Sequence, residues 1–180
     1  AECADIDILD GDLVAAFEQV WRTINDTYFD PSFGGLDWTA VRNELRPRVT
    51  GAASADEHRA VIREMERRFE PLGRSCDHNA MFALAYLRTT QSYLWAAQQP
   101  GFFQDTPWVN HEDAVFAKYY FDAYDNWLAG NRSQVPRAWL IAFDSAKERR
   151  TTGSGDLLLG MSAHINRDLP FTLAAVGMVT

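Results

Sequence analysis

Apolar residues recur at steps of three and four along most of the chain, which is the period of an amphipathic α-helix. The first such segment predicts a helix that begins after Asp12 and ends before Pro31. Its inward positions are Leu13, Phe17, Val20, Trp21, Ile24 and Tyr28. The opening of the chain is therefore predicted to be helical.

The next apolar segment is interrupted by prolines and possible caps. Asp37 predicts the start of a short second helix, which Pro47 ends or kinks. Ser54 and Glu57 form a capping-box pattern and predict the start of a third helix. His58 follows the acidic first turn of that helix and is predicted to lie at the surface. Turn-forming residues then predict a break over residues 70–75.

Four further helices are predicted after this break. The first begins at Asp77 and ends near residue 98, and the second is capped by Asn110 and ends at Gly130. The third contains Pro136 in its first turn, and the fourth follows the TTGSG segment at 151–155. No strand or hairpin pattern is present. We therefore expect an all-α fold of about seven helices in a bundle.

Two parts are expected within this bundle. A small three-helix module at residues 1–70 would pack on a larger helical core at residues 71–180. With 180 residues, 47% of them hydrophobic, the chain is long enough to fill one core and to add a small second module.

Composition narrows the range of partners. A net charge of −8 argues against nucleic acid as an electrostatic partner, and no apolar run reaches the length of a membrane span. The polar start at Ala1 is what a mature secreted chain would show after signal cleavage. In that setting Cys3 and Cys76 are expected to form a disulfide, the alternative being two unrelated buried thiols.

The segment DLLLGMSAHINRDLP at 156–170 carries the most suggestive chemistry. His164 and Asp168 are four residues apart, so on a helix they share a face that otherwise looks like core. Buried imidazole and carboxylate groups need partners, which are each other, a backbone carbonyl or a metal ion. Pro170 also removes a backbone donor and predicts a distortion of this helix.

Two stretches resemble known families. VWRTINDTYFDPSFGGLDWTAVRNELRPRV, continued by EHRAVIREM, resembles the N-terminal helical segment of C-terminal-processing (tail-specific) peptidases, over about residues 13–66. This resemblance implies a helical module and not proteolysis, because neither Lys118 nor Lys147 has the serine motif that a serine–lysine peptidase needs. AYLRTTQSY, PWVNHEDAVFAKYYFDAYDNW, PRAW and GMSAHINRDLP resemble an uncharacterised bacterial family, common in actinobacteria, over residues 77–180. That family implies no activity.

The HxxxD spacing is similar to the ligand helix of zinc-dependent phospholipases C and the related single-strand nucleases, which are all-α. The resemblance implies a divalent metal, with zinc, iron and manganese all suited to these ligands. The candidate ligands are His164, Asp168, His78 and His111. The candidate catalytic carboxylates, which would orient a histidine or act as base, are Asp77 and Asp113. The chain is thus expected to be a secreted metal-dependent hydrolase, acting on a phosphoester.

The alternative is a non-catalytic secreted binding or scaffold protein, in which His164 and Asp168 are a structural core pair. Its ligand, a peptide or a lipid-like small molecule, would contact the aromatic loop residues Phe102, Phe103 and Trp108. The same side chains would line the substrate pocket of the hydrolase. Because apolar residues continue to Thr180, a second fragment of the same precursor is expected as a partner.

Overall fold

The computed structural model of the protein describes residues 13–27 and 33–178. Within these ranges the chain forms seven α-helices and no β-strand, which confirms the predicted all-α class. The chain divides into two compact units, Ala1–Asp56 and Glu57–Thr180. The domain boundary expected after residue 70 stays a prediction. None of the described helices combines the length and the apolar character needed to cross a membrane.

The first unit contains α1 (Leu13–Thr27), a 3-10 turn at Phe33–Gly35 and the beginning of α2 (Trp38–Arg74). Trp21 and Trp38 stack with ring centroids 6.3 Å apart, and the Trp21 indole N–H donates to the carbonyl of Trp38 at 3.1 Å. These two tryptophans therefore join α1 to the beginning of α2.

The predicted division of the second and third helices is wrong, because α2 runs unbroken through Pro47 and Ser54. It ends at Arg74, within the break predicted at 70–75. Asp37 does cap its start, accepting a hydrogen bond from the Ala40 N–H at 2.8 Å. The Ser54 hydroxyl donates to the carbonyl of Gly51 at 3.0 Å, so it is satisfied inside the helix and caps nothing.

The second unit contains the end of α2 and the remaining helices. These are α3 (Ala80–Ala97), α4 (Thr106–Leu128), α5 (Arg137–Glu148), α6 (Gly153–Ala163), a π-helical turn (His164–Asp168) and α7 (Leu169–Ala175), with a 3-10 turn at Arg132–Gln134. The predicted cap of α4 is wrong: Asp105 caps this helix by accepting from the Trp108 N–H at 3.0 Å. Asn110 lies one turn inside α4 and is buried.

An aromatic core fills this unit between α3, α4, α5 and α6. Trp139 is fully buried, and its ring stacks on Phe143 and meets the edge of Phe82. Helices α3 and α6 cross where Gly160 faces Phe82, and a Cβ atom added at Gly160 would lie 2.6 Å from that ring. Only glycine allows this close approach without a shift of the aromatic core.

We expect Gly160→Ala to lower the free energy of unfolding by about 1–3 kcal/mol, because the added methyl group forces Phe82 out of its place in the core. Urea denaturation of the variant measures this loss. Gly51→Ala is the matched control, since Gly51 is also helical and has no neighbouring atom within 4 Å of the added Cβ. A Gly160→Ala protein as stable as the Gly51→Ala protein would contradict the crossing described here.

The distortion predicted from Pro170 is present as the π-helical turn. The Leu169 N–H donates to the carbonyl of His164, five residues earlier. Pro170 lies just after this turn, where its missing N–H interrupts the α-helical pattern. The turn brings His164 and Asp168 onto the buried side of the helix.

Candidate active site

A histidine held by a buried carboxylate lies in an open cleft just before α3. His78 Nδ1 is 2.8 Å from Asp156 Oδ2, and Ser145 Oγ donates to Asp156 Oδ1 at 3.1 Å. Asp156 is 4% exposed, whereas the side chain of His78 is 23% exposed. Because an ionised carboxylate only accepts hydrogen bonds, the neutral tautomer of His78 that fits this contact has its proton on Nδ1 and a lone pair on Nε2.

Local structure positions each of the three hydrogen-bonded residues His78, Asp156 and Ser145, which we call the relay. Asp156 lies in the first turn of α6, where the helix dipole stabilises a carboxylate, and Thr152 caps that turn. Ser145 lies in α5, which packs against α6. His78 lies in the turn before α3, where Asp77 Oδ1 accepts from the backbone N–H of Asn79 at 2.9 Å. Three separate elements therefore hold the orientation of His78.

The cleft has a volume of about 300 Å³. It is lined by Ser75, Cys76, Asp77, His78, Ala146, Lys147 and Arg149. Among the described residues, neither Lys147 nor Arg149 is in an ion pair, and Arg149 donates one hydrogen bond to the carbonyl of Cys76 at 3.2 Å. These two cations lie beside two carboxylates, Asp77 in the lining and the buried Asp156 behind His78. Because Lys147 and Arg149 have no ion-pair partner in the part of the chain that the structure describes, they are available to contact an anionic ligand.

The predicted pair His164 and Asp168 does come together, but in the core. His164 Nδ1 is 3.0 Å from Asp168 Oδ2, which also accepts from the Trp139 indole N–H at 2.8 Å. Arg167 donates to Asp168 Oδ1 at 2.8 Å. The imidazole of His164 stacks on Phe116 with centroids 3.5 Å apart, and burial lowers its pKa while the hydrogen bond to Asp168 opposes this. The pair links α4, α5 and the π-helical turn.

The other predicted site residues lie in different surroundings. His111 is exposed and forms a 3.4 Å contact with Glu57. In the loop between α3 and α4, Phe103 packs between Phe102 and Tyr93, with both centroid distances 5.0 Å. Phe102 is 60% exposed. Trp108 donates its indole N–H to the carbonyl of Val176 at 3.4 Å. The structure thus places His78, His111 and His164 each with a different carboxylate.

His58 is fully buried, so its predicted surface position is wrong. Its Nδ1 is 3.1 Å from Asn110 Oδ1, and its Nε2 is 3.2 Å from the carbonyl of Thr90. Nε2 also lies 3.3 Å from Asp113 Oδ2, a buried carboxylate oxygen without a hydrogen-bond partner among the described residues. The spacing of His58 with Val61, Ile62 and Met65, at three, four and seven residues, is the signal that identifies its buried face.

Two adjacent carboxyl groups on α4 titrate abnormally. Burial raises the pKa of Asp113 to about 6, although His58 lowers it. Burial and the neighbouring Asp113 raise the pKa of Glu112 to about 7. Asp113, predicted as a catalytic group, therefore lies in the interior beside His58.

The raised carboxyl pKa values predict that stability falls as the pH rises. Unfolded carboxyl groups titrate near about pH 4, whereas Glu112 in the folded protein holds its proton to about 7. The folded state thus binds more protons in this range, and the free energy of unfolding decreases as the pH rises through it. Urea denaturation at pH 5 and pH 7.5 measures the decrease.

Glu112→Gln is the matched variant, because it removes one of these protons without changing the shape of the side chain. We expect a smaller pH dependence in the variant than in the parent protein. His164 acts in the opposite sense, since its pKa is lowered, but it contributes equally to both proteins. Identical pH dependence in the two proteins would contradict the raised pKa of Glu112.

Two expectations from the sequence, a bound metal ion and a disulfide, stay predictions. Within residues 13–27 and 33–178, no group of three or more His, Cys, Asp or Glu side chains is arranged to hold a metal ion. Cys76 is exposed at the mouth of the cleft, whereas Cys3 lies outside the described residues. The disulfide between them is therefore untested.

Comparison with known proteins finds a family match for each of the two parts of the chain. A family described as "Family of unknown function (DUF5995)" matches residues 58–180. The chain belongs to this family. The Tricorn protease C1 domain matches residues 15–66, which agrees with the resemblance to a peptidase segment. The DUF5995 region coincides with the second compact unit almost residue for residue.

One curated protein shares the N-terminal segment. The putative tricorn protease homolog 2 of Streptomyces coelicolor is 36% identical over 50 residues, which are 28% of this chain and 4% of that protein. The chain thus corresponds to a small part of that relative. No solved structure matches the chain.

The DUF5995 region contains the whole relay of His78, Ser145 and Asp156. Sequence reasoning singled out His78 and Asp77 but missed Asp156 and Ser145. Asp156 and His78 are 78 residues apart in the sequence. The residues around either one do not predict that the two side chains are in contact. Lys147, considered in the sequence only as a lysine without a serine motif, belongs to the cleft.

Proposed function

We propose that this chain is a secreted hydrolase of a phosphoester, with His78 as the general base. The observation that carries this proposal is the 2.8 Å contact between His78 and the buried Asp156, in a cleft that also contains Lys147 and Arg149. A carboxylate that fixes one ring nitrogen leaves the other basic, which is the arrangement that proton abstraction requires.

The step follows from this geometry. Nε2 of His78 takes a proton from a water molecule, and the water oxygen forms a bond to phosphorus. The bond from phosphorus to the ester oxygen breaks on the opposite side of phosphorus, so the leaving alkoxide takes a proton from solvent water and the imidazolium later returns its proton to solvent. Lys147 and Arg149 bind the phosphoryl oxygens and stabilise their negative charge. Asp156 stabilises the imidazolium between the two proton transfers.

A divalent metal, expected from the HxxxD spacing of His164 and Asp168, remains part of the proposal as zinc, iron or manganese. Since the described residues form no three-ligand group, no step above goes through a metal. Elemental analysis of protein purified without chelator tests its presence. Stoichiometric metal that is lost in His164→Ala would support a core metal, and loss in His78→Gln would support one in the cleft. Metal in none of the samples would overturn this part.

Hydrolysis of 4-nitrophenyl phosphate and bis(4-nitrophenyl) phosphate tests the reaction, with 4-nitrophenyl acetate as the uncharged comparison. We expect turnover of a phosphate substrate, and an increase of about tenfold in KM for Lys147→Gln, which loses one charge in the cleft. Lys118→Gln is the matched control, because Lys118 is exposed and paired with Asp122. Absence of turnover with both phosphates would overturn the hydrolase function.

A second candidate function is a secreted binding or scaffold protein. It is supported by the complete burial of Asp168 and by its hydrogen bonds with His164 and Trp139, which suit a core-locking pair. The exposed Phe102 beside Phe103 would then contact a peptide or lipid-like ligand. Binding of a ligand that Phe102→Ser abolishes, in a protein without turnover, would favour this function.

A further inference from the structure

A second, larger cleft adjoins the one that contains His78. Its volume is about 570 Å³, and it lies between the end of α2, the end of α4 and the end of α5. The two clefts share Ser75, Asp77 and Lys147. A ligand held at Lys147 can therefore extend from one cleft into the other.

Part of the lining of the larger cleft is apolar, and we call it the apolar wall. It is made by Pro71, Leu72, Tyr124, Trp127 and Leu128. Trp127 is held in place, because its indole N–H donates to Asp144 at 2.9 Å and its ring stacks on Tyr124. Leu128 is 63% exposed, so its side chain is available to a ligand. A rigid indole next to an exposed leucine suits a flat or extended hydrocarbon group.

Charge along the cleft is uneven. Of the cations in its lining, Arg67 is paired with Glu64, and Arg68 is held between Glu64 and Asp125. Where the clefts meet, Lys147 has no ion-pair partner among the described residues, and Asp77 is the carboxylate beside it. The free ammonium group of Lys147 can therefore bind an anionic group near His78, and a hydrocarbon group can contact the apolar wall.

Building on the proposed hydrolase function, we infer that the substrate is a phosphoester of an aryl or long-chain alcohol. The phosphoryl group lies at Lys147, Arg149 and His78, and the alcohol portion lies along Trp127 and Leu128. Hydrolysis then releases inorganic phosphate, or a phosphomonoester from a diester, at the small cleft and the free alcohol from the large one. Short phosphoesters lack the contacts with the apolar wall and bind weakly.

Binding of three stable phosphonates tests this assignment. Titration calorimetry with methylphosphonate, phenylphosphonate and octylphosphonate measures their affinities for the intact chain. We expect phenylphosphonate and octylphosphonate to bind at least about tenfold more tightly than methylphosphonate, because they bury apolar area against the wall. Equal affinities, or binding of none of the three, would overturn the inference.

Leu128→Ser locates the hydrocarbon group. It is expected to weaken octylphosphonate binding about fivefold and to leave methylphosphonate unchanged. Leu158→Ser is the matched control, since Leu158 is 64% exposed but lies on α6 outside both clefts. An equal effect of both variants on octylphosphonate would also overturn the assignment.

Different results would contradict the hydrolase function and the assigned substrate class. Graded phosphonate binding without any phosphoester turnover would remove the hydrolase function and keep the ligand class. Turnover of 4-nitrophenyl phosphate with equal affinity for the three phosphonates would keep the hydrolase function and remove the apolar specificity.

Discussion

Replacing His78 by glutamine is expected to lower kcat/KM for the best phosphoester by about a thousandfold. Glutamine cannot take a proton from water, although it keeps a polar group near the same position. The loss should fall on kcat, because Lys147 and Arg149 still bind the phosphoryl group. Steady-state kinetics of the parent and His78→Gln proteins, with circular dichroism to confirm equal helix content, measures the effect.

Two further measurements separate chemistry from binding. The affinity for phenylphosphonate should change less than about threefold in His78→Gln, since hydrogen bonds to the ring contribute little beside two cations. Asp156→Asn should also lower kcat, because an amide no longer stabilises the imidazolium that forms on His78. A His78→Gln protein with parental kcat would exclude His78 as the base.

Replacing Asp168 by alanine is expected to lower the free energy of unfolding by about 3–5 kcal/mol, the largest stability effect that the structure predicts. Asp168 is fully buried and accepts hydrogen bonds from His164, Trp139 and Arg167. Its removal leaves two buried N–H donors without an acceptor and opens a space in the core. Urea denaturation at one fixed pH measures the loss.

Asp122→Ala is the matched surface control. Asp122 forms an exposed ion pair with Lys118 one helical turn away, and such pairs contribute about 0.5 kcal/mol or less. We therefore expect little change in this variant. A loss below about 1 kcal/mol in Asp168→Ala would mean that the buried carboxylate does not join α5 to the π-helical turn.

Helical periodicity was sufficient to predict the fold class. The apolar spacing identified nearly every helix, and Asp37 was correctly assigned as a cap. The predicted helix boundaries were wrong where a local sequence signal competed with tertiary packing. Pro47 reads as a stop, yet α2 continues through it, and Asn110 reads as a cap, yet its amide is needed in the interior beside His58.

The candidate active site was only half visible in the sequence. His78 and Asp77 stand out because they are chemically active residues before a helix. Asp156 looks like an ordinary acidic residue in a first helical turn, and only the packing of α6 against α5 brings it to His78. His164 and Asp168 are the reverse case: their spacing is conspicuous, and the structure uses it to join helices in the core.

The π-helical turn at His164–Asp168 makes this part of the chain tolerant of a change in length. Such a turn contains one residue more than an α-helical turn, so deleting one residue there would leave a regular α-helical turn with α7 in its present register. A one-residue deletion in the regular part of α6 would instead rotate all that follows by roughly 100°, and Thr172, now fully buried, would turn towards solvent. Deletion of the exposed Ile165 or Asn166 should therefore disturb the docking of α7 less than deletion of the exposed Leu158 in α6.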